Sequence, residues 1–167
     1  MATIVAKFGN DISTDVIYPG RYMATVLPSE TPQYAFADNA DLNNSLRSGQ
    51  VTPGSIILAG WNFGCGSSRE QATSTLKGHD LMIVARSFAR IFQQNSINLG
   101  LHIVEAPAIE ASEGDELSVE GATVVNRTTG QSFPVVQLPK ARQAIIEAGG
   151  LIPYTRKRMM ESVGRTS

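Results

Sequence analysis

The sequence contains a single cysteine, Cys65, and only two histidines, His79 and His102. One thiol excludes an internal disulfide and suits a reducing compartment such as the cytoplasm. It also excludes an iron–sulfur cluster held by this chain alone, because such clusters take several thiolates. The histidines are far apart and have no metal-ligand spacing, so the chain itself is expected to bind no metal. No sign of charge prevails: 14 basic residues stand against 15 acidic ones, leaving a net charge of −1. That balance gives nucleic acid or a membrane surface no reason to bind. The local run Arg156-Lys157-Arg158 reads as a solvated helix end. No apolar run approaches the ~20 residues of a membrane-spanning helix. The opening Met1–Lys7 lacks the apolar core of a signal peptide. What remains is an ordinary globular composition, 42% apolar and 17% charged over 167 residues. That length suits one domain, 1–167, with a real core.

The middle of the chain carries the clearest pattern. Ser55–Gly60 and Leu81–Ala85 are continuous apolar runs, read as buried strands. A helix is expected over Arg69–Lys77, stopped at Gly78. A second is expected from a Ser87 cap through Asn98, with Gly100 at its end. Leu101–Val104 is a further strand, and Ile4–Phe8 an earlier one. Strand, helix, strand, helix, strand implies a mostly parallel sheet, an α/β class. Asp11–Arg21 reads as a loop, and Tyr22–Gln50 as a long loop with one or two short helices. After Pro107 the runs shorten. Leu117–Val119, Thr123–Asn126 and Ser132–Val136, with turns at Gly121 and Thr129-Gly130, predict a small antiparallel meander. Helices are expected over Pro139–Ala148 and from Pro153 to about Glu161.

The most informative stretch is Asn62-Phe63-Gly64-Cys65-Gly66-Ser67-Ser68-Arg69-Glu70. It lies between a buried strand and a helix, where α/β proteins place ligand sites. Gly64 and Gly66 permit a sharp turn and a close approach to a ligand. Ser67 with Glu70 three residues on reads as a capping box, and the helix start behind it as an anion site. Arg69 would then fall in the first helical turn, where a cation is disfavoured by typically ~0.3–1 kcal/mol. Such a cost points to a purpose, either clamping a carboxylate or pairing with a distant acid. Cys65 as a nucleophile has no histidine near it in sequence. The loop lacks the Gly-Lys-Ser/Thr of a P-loop, the third glycine of a dinucleotide fingerprint and the Gly-x-Ser-x-Gly of a lipase elbow.

Asn62–Ala72 resembles the signature of the small subunit of 3-isopropylmalate dehydratase and its archaeal homoaconitase relatives, in the aconitase superfamily. Further resemblance lies in Phe8–Ile17 with Pro19, Arg21 and Tyr22, in Ser87–Phe92 followed by Asn95–Leu101, in Glu113–Leu117 and in Glu147–Tyr154. The resemblance implies a three-layer β/β/α swivelling domain with a mostly parallel central sheet. It implies a separate large subunit holding a [4Fe-4S] cluster, with no cofactor on this chain. The reaction implied is removal and re-addition of water on a small dicarboxylic hydroxy acid. Ser67 would be the catalytic base, and Ser68 and Arg69 would bind substrate carboxylate. Gly64, Gly66 and Asp15 would support the site, although Asp15 also reads as plain turn chemistry. Arg90 falls in a family block and reads as one half of an ion pair on an exposed helix face.

The segment Tyr22-Met23-Ala24-Thr25 resembles the family's substrate-reading loop. Homoaconitase-like members carry an arginine there; this chain has Ala24, and no cation between Arg21 and Arg47. An extra substrate carboxylate would be costly to bury unpaired. The expected substrate is therefore an alkylmalate, 3-isopropylmalate first, with 2,3-dimethylmalate, a methylmalate or homoaconitate as alternatives. Two rival readings stand beside it: a non-catalytic binding module that keeps the fold, and a stand-alone hydrolase using His79 or His102. Self-association is left open.

Overall fold

Four short segments come together as parallel neighbours: β1 (Ala2–Lys7), β2 (Ile56–Ala59), β3 (Met82–Ala85) and β4 (His102–Glu105). The two most apolar, β2 and β3, are buried at the centre, with the more polar β1 and β4 on either side. The computed structural model describes residues 1–165. β2 pairs with β3 from Ile56 opposite Met82 to Ala59 opposite Ala85. β3 pairs with β4 from Met82 opposite His102 to Ala85 opposite Glu105. β1 adds β5 (Glu116–Glu120) antiparallel on its far side, and β6 (Thr123–Asn126) and β7 (Ser132–Pro134) follow. The sheet order is β4-β3-β2-β1-β5-β6-β7. This is the expected α/β architecture, with a parallel half and an antiparallel meander.

The two-residue period of a strand sorts the core into two layers. Ile57, Ala59, Ile83 and Ala85 face one cluster, which also holds Leu42 and Leu46 of α2 (Ala40–Arg47), Ala72 and Leu76 of α3 (Glu70–Gly78) and Phe92 of α4 (Arg90–Leu99). Ile56, Leu58 and Val84 face the other cluster, with Val104, Leu117, Val124 and Phe133. The meander therefore folds back over the parallel strands, and Val136 bridges to Glu105 on β4. Helices, parallel strands and meander form the three layers. A large aliphatic or aromatic side chain buried in either cluster contributes ~1.5–3 kcal/mol. In a sheet of order 1-2-3-4 the crossovers share a hand, which places α2, α3 and α4 on one face.

Several boundaries depart from expectation. Thr14–Ile17, expected as loop, forms a one-turn helix, α1, because the Ser13 hydroxyl accepts the Val16 N–H. The last strand stops at Pro134, and Val136 turns instead to β4, where its N–H donates to Glu105 O at 2.8 Å. After α5 (Lys140–Glu147), the final helix α6 spans Leu151–Arg165, with Pro153 in its first turn but not opening it. Among the described residues no helix is long and apolar enough to cross a membrane.

Candidate active site

The carboxyl ends of β1, β2 and β3 run on into loops that continue to hydrogen-bond to one another. Asp11 N–H donates to Trp61 O, Gly64 N–H to Ile12 O and Thr14 N–H to Cys65 O, at 2.7–2.8 Å. On the other side Phe63 N–H donates to Ser87 O, and Ala89 N–H returns to Phe63 O. The Asn62–Glu70 segment is thus zipped between the loops after β1 and β3. Its central turn crosses directly over α4. Gly64 has φ +84°, and a Cβ there would lie 2.2 Å from Phe92 Cγ.

This zippering explains two corrections to the sequence reading. Ser67 is not the cap of α3. Arg69 is, with extended backbone at φ −77° and ψ 107° and no side-chain capping bond, so Glu70 is the first helical residue and there is no capping box. Ser67 is instead drawn toward α1. Its carbonyl accepts from Thr14 Oγ1 at 2.9 Å, and its hydroxyl lies 3.3 Å from the same Thr14 oxygen. Ser87 likewise does not cap α4, whose N-cap is Ala89. Its hydroxyl accepts the Asn62 N–H at 2.8 Å, because Phe63 and Phe88 pair as a short bridge that keeps the chain extended.

Arg69 and Asp15 meet. Arg69 Nη1 lies 2.7 Å from Asp15 Oδ1, and the Gly20 N–H donates to the same oxygen at 2.8 Å. Pairing with a distant acid, one of the two readings of the cation near the helix start, is found here, and it does not compete with clamping a carboxylate. Asp15 is not merely turn chemistry. The Arg69 bond, then the Gly20 N–H, holds its carboxyl below the ordinary value of 3.8. Arg69 Nη1 also donates to Tyr18 O at 3.2 Å. These bonds leave Arg69 Nη2 without a protein acceptor among the described residues, and a carboxylate can take it. Ser67, Ser68 and Gly66 are exposed and Gly64 is buried. Ser67 lines an open groove of about 670 Å³ that runs along α4.

The loop after Tyr18 closes onto this site. The Gln71 side chain, in the first turn of α3, donates to Met23 O at 3.2 Å. Tyr18 is fully buried, and its hydroxyl lies 3.0 Å from Tyr22 O and 3.2 Å from Thr25 O. Burial raises the Tyr18 pKa. Tyr22 stacks on Tyr34 with ring centroids 4.0 Å apart. Met23 and Ala24 are exposed and Thr25 is half-buried. The nearest cation, Arg21, is already engaged. It pairs with Asp38 at 2.5 Å and lies over the Tyr22 ring at 4.7 Å.

Other sequence candidates stay apart. His79 binds Pro32 O at 2.7 Å beyond the C-terminus of α3. His102 pairs in register with Met82, at the amino end of the parallel strands, opposite Ser67. Neither can serve Ser67 or Cys65 as a hydrolase base. Arg90 is exposed and makes no ion pair among the described residues, contrary to expectation. Among those residues no group of three or more His, Cys, Asp and Glu is gathered in a way that could hold a metal ion. Sequence reasoning did not single out Thr14, Tyr18 or Gln71. Thr14 adjoins Asp15 in the same block, a signal that could have been followed, and Tyr18 lies just past the Phe8–Ile17 run. Gln71 lies within the Asn62–Ala72 stretch, but no local signal there points to its bond with Met23 O.

A model of the aconitase C-terminal domain matches residues 10–108. The isopropylmalate/citramalate isomerase small subunit of Methanocaldococcus jannaschii is 45% identical over 163 residues, covering 95% of this chain and 95% of that protein. The 3-isopropylmalate dehydratase small subunit of Moorella thermoacetica is 45% identical, with 93% and 95% covered. The crystal structure of 3-isopropylmalate dehydratase from M. jannaschii superposes with a TM-score of 0.86 at 34% identity, covering 98% of this chain and 97% of that one.

Proposed function

Since the chain belongs to the aconitase C-terminal domain family, we propose that it is the small subunit of a heteromeric hydro-lyase that isomerises an alkylmalate, 3-isopropylmalate above all. In this reading the described residues, 1–165, form one swivelling domain. The observation that carries it is an exposed Ser67 on the loop whose next arginine, Arg69, is oriented by Asp15 at 2.7 Å. The full-length likeness to relatives named as 3-isopropylmalate dehydratase small subunits supports it.

The chain's own share of the reaction is a proton and a carboxylate. Ser67, as the alkoxide, takes the proton from the carbon next to a substrate carboxylate. The C–H electron pair becomes the new double bond as the hydroxyl on the neighbouring carbon departs. Re-addition of water in the opposite sense gives the isomer. Arg69 binds a carboxylate, with Ser68 beside it, and Asp15 fixes the guanidinium. An alkoxide is an expensive base in water, so its surroundings must favour negative charge. Ser67 lies two residues before the cap of α3, toward the positive end of its dipole. Thr14 Oγ1 can accept from the neutral Ser67 hydroxyl or turn to donate to the alkoxide. With one thiol, the chain does not fit a [4Fe-4S] cluster. The cluster is assigned to the large subunit, which supplies the Lewis acidity of the reaction.

The loop supports an alkyl side group, because Arg21 is engaged with Asp38 and Met23 and Ala24 offer no charge. That disfavours homoaconitate. The name of the M. jannaschii relative, an isopropylmalate/citramalate isomerase small subunit, favours citramalate as a second substrate. The test is anaerobic reconstitution with the large subunit encoded in the same genome, assayed on a panel of alkylmalates and homoaconitate. Turnover of isopropylmalate is expected, with loss of at least about a thousandfold in Ser67→Ala and an unchanged fold. An active Ser67→Ala variant removes the base. A complex inert toward every diacid favours a non-catalytic module.

A further inference from the structure

The groove that opens at Ser67 has a charge pattern that the proposed chemistry does not use. Its wall runs from Gly66 and Ser67 along Arg90 and Ile91 of α4 to Arg142 of α5. Arg90 is the first residue of α4, and Arg142 the third of α5. Both stand in N-terminal helical turns, where the helix dipole disfavours a cation. Neither makes a salt bridge among the described residues, and no Asp or Glu lines the groove. Ile91, between them in the lining, is an exposed apolar residue, 55% accessible.

We propose that this groove seats an acidic segment of the large subunit, whose carboxylates pair with Arg90 and Arg142 while an apolar side chain covers Ile91. The inference rests on the functional reading above. A large subunit that brings its cluster to Ser67 must cover the groove of which Ser67 is one end. Covering two guanidiniums without partners would leave uncompensated charge out of water. Among the described residues none offers them a carboxylate, so the partner must. The pair thereby sets register and association rate, and takes no part in proton transfer.

The experiment measures the dissociation constant of the large subunit, from the same genome, for the wild-type chain and for Arg142→Glu, Arg90→Glu and the double variant. Arg47→Glu on α2 is the control for a charge reversal elsewhere. Each groove reversal is expected to weaken binding at least tenfold, and the control less than twofold. At saturating large subunit, kcat of the groove variants stays within twofold of wild type. Between 50 and 500 mM NaCl, wild-type affinity should fall more steeply than that of the double variant. Unchanged affinity in the double variant overturns the proposal. So does a fall in kcat at saturation with affinity intact, which would give the groove to the substrate. A wild-type chain that binds no large subunit counts against the functional reading itself, so the two failures are distinct.

Discussion

Replacing Gly64 and Gly66 separately by alanine tests how the loop is held over α4. Both residues have positive φ, +84° and +96°. An L residue in the left-handed region costs ~1–2 kcal/mol, so each variant bears that strain. Their surroundings differ. At Gly66 the nearest atom to a new Cβ is Ser13 Cβ at 3.6 Å, an ordinary contact. At Gly64 the new Cβ would meet Phe92 Cγ at 2.2 Å, Cβ at 2.5 Å and Cδ2 at 2.6 Å. Phe92 is buried among Phe63 and Phe88, with centroids 5.3 and 6.1 Å away, so its ring has no free space to enter. Overpacking of that kind adds ~1–3 kcal/mol. Gly66→Ala should therefore lose ~1–2 kcal/mol and Gly64→Ala ~2–5 kcal/mol, from a total of about 5–15 kcal/mol. Urea unfolding of the isolated chain measures both, with the m-value confirming that only stability has changed. Equal losses for the two variants, or a larger loss at Gly66, would refute the claim that the loop rests on Phe92.

Two further substitutions separate binding from chemistry. Asp15→Asn releases the Arg69 guanidinium and should lower kcat/KM by roughly ten- to a hundredfold, mostly through KM. Because the folded Asp15 pKa lies below 3.8, its stabilising share is present above that value and lost as pH falls through the depressed one. The stability gap between wild type and Asp15→Asn, followed by denaturation from pH 6 to pH 3, should thus narrow with acid; a constant gap would contradict the ion pair. Tyr18→Phe removes the hydroxyl that ties Tyr22 O and Thr25 O. It should speed amide hydrogen exchange across Tyr22–Thr25. It should also erode a preference for isopropyl over methyl, which two extra carbons at ~0.8 kcal/mol each limit to roughly tenfold. Unaltered exchange in that loop would show that the hydroxyl does not hold it.

The amino-acid pattern alone settled the parallel strands, the meander and the loop carrying Ser67. Apolar runs, glycines and turn residues are local signals, and the layers they imply have few ways to pack. Local signals misled where a distant segment competed for the same group. Ser67 and Ser87 both read as helix caps, yet their polar groups went to Thr14 on α1 and to Asn62 on the loop after β2. The meeting of Arg69 with Asp15, more than fifty positions earlier, also needed the fold. So did the clamp from Tyr18 and the groove that joins Arg142 to Ser67. Composition and spacing describe which groups a chain owns; only packing decides which of them exchange protons and charge, because hydrogen bonds and ion pairs act over a few ångströms of space and take no account of separation along the chain.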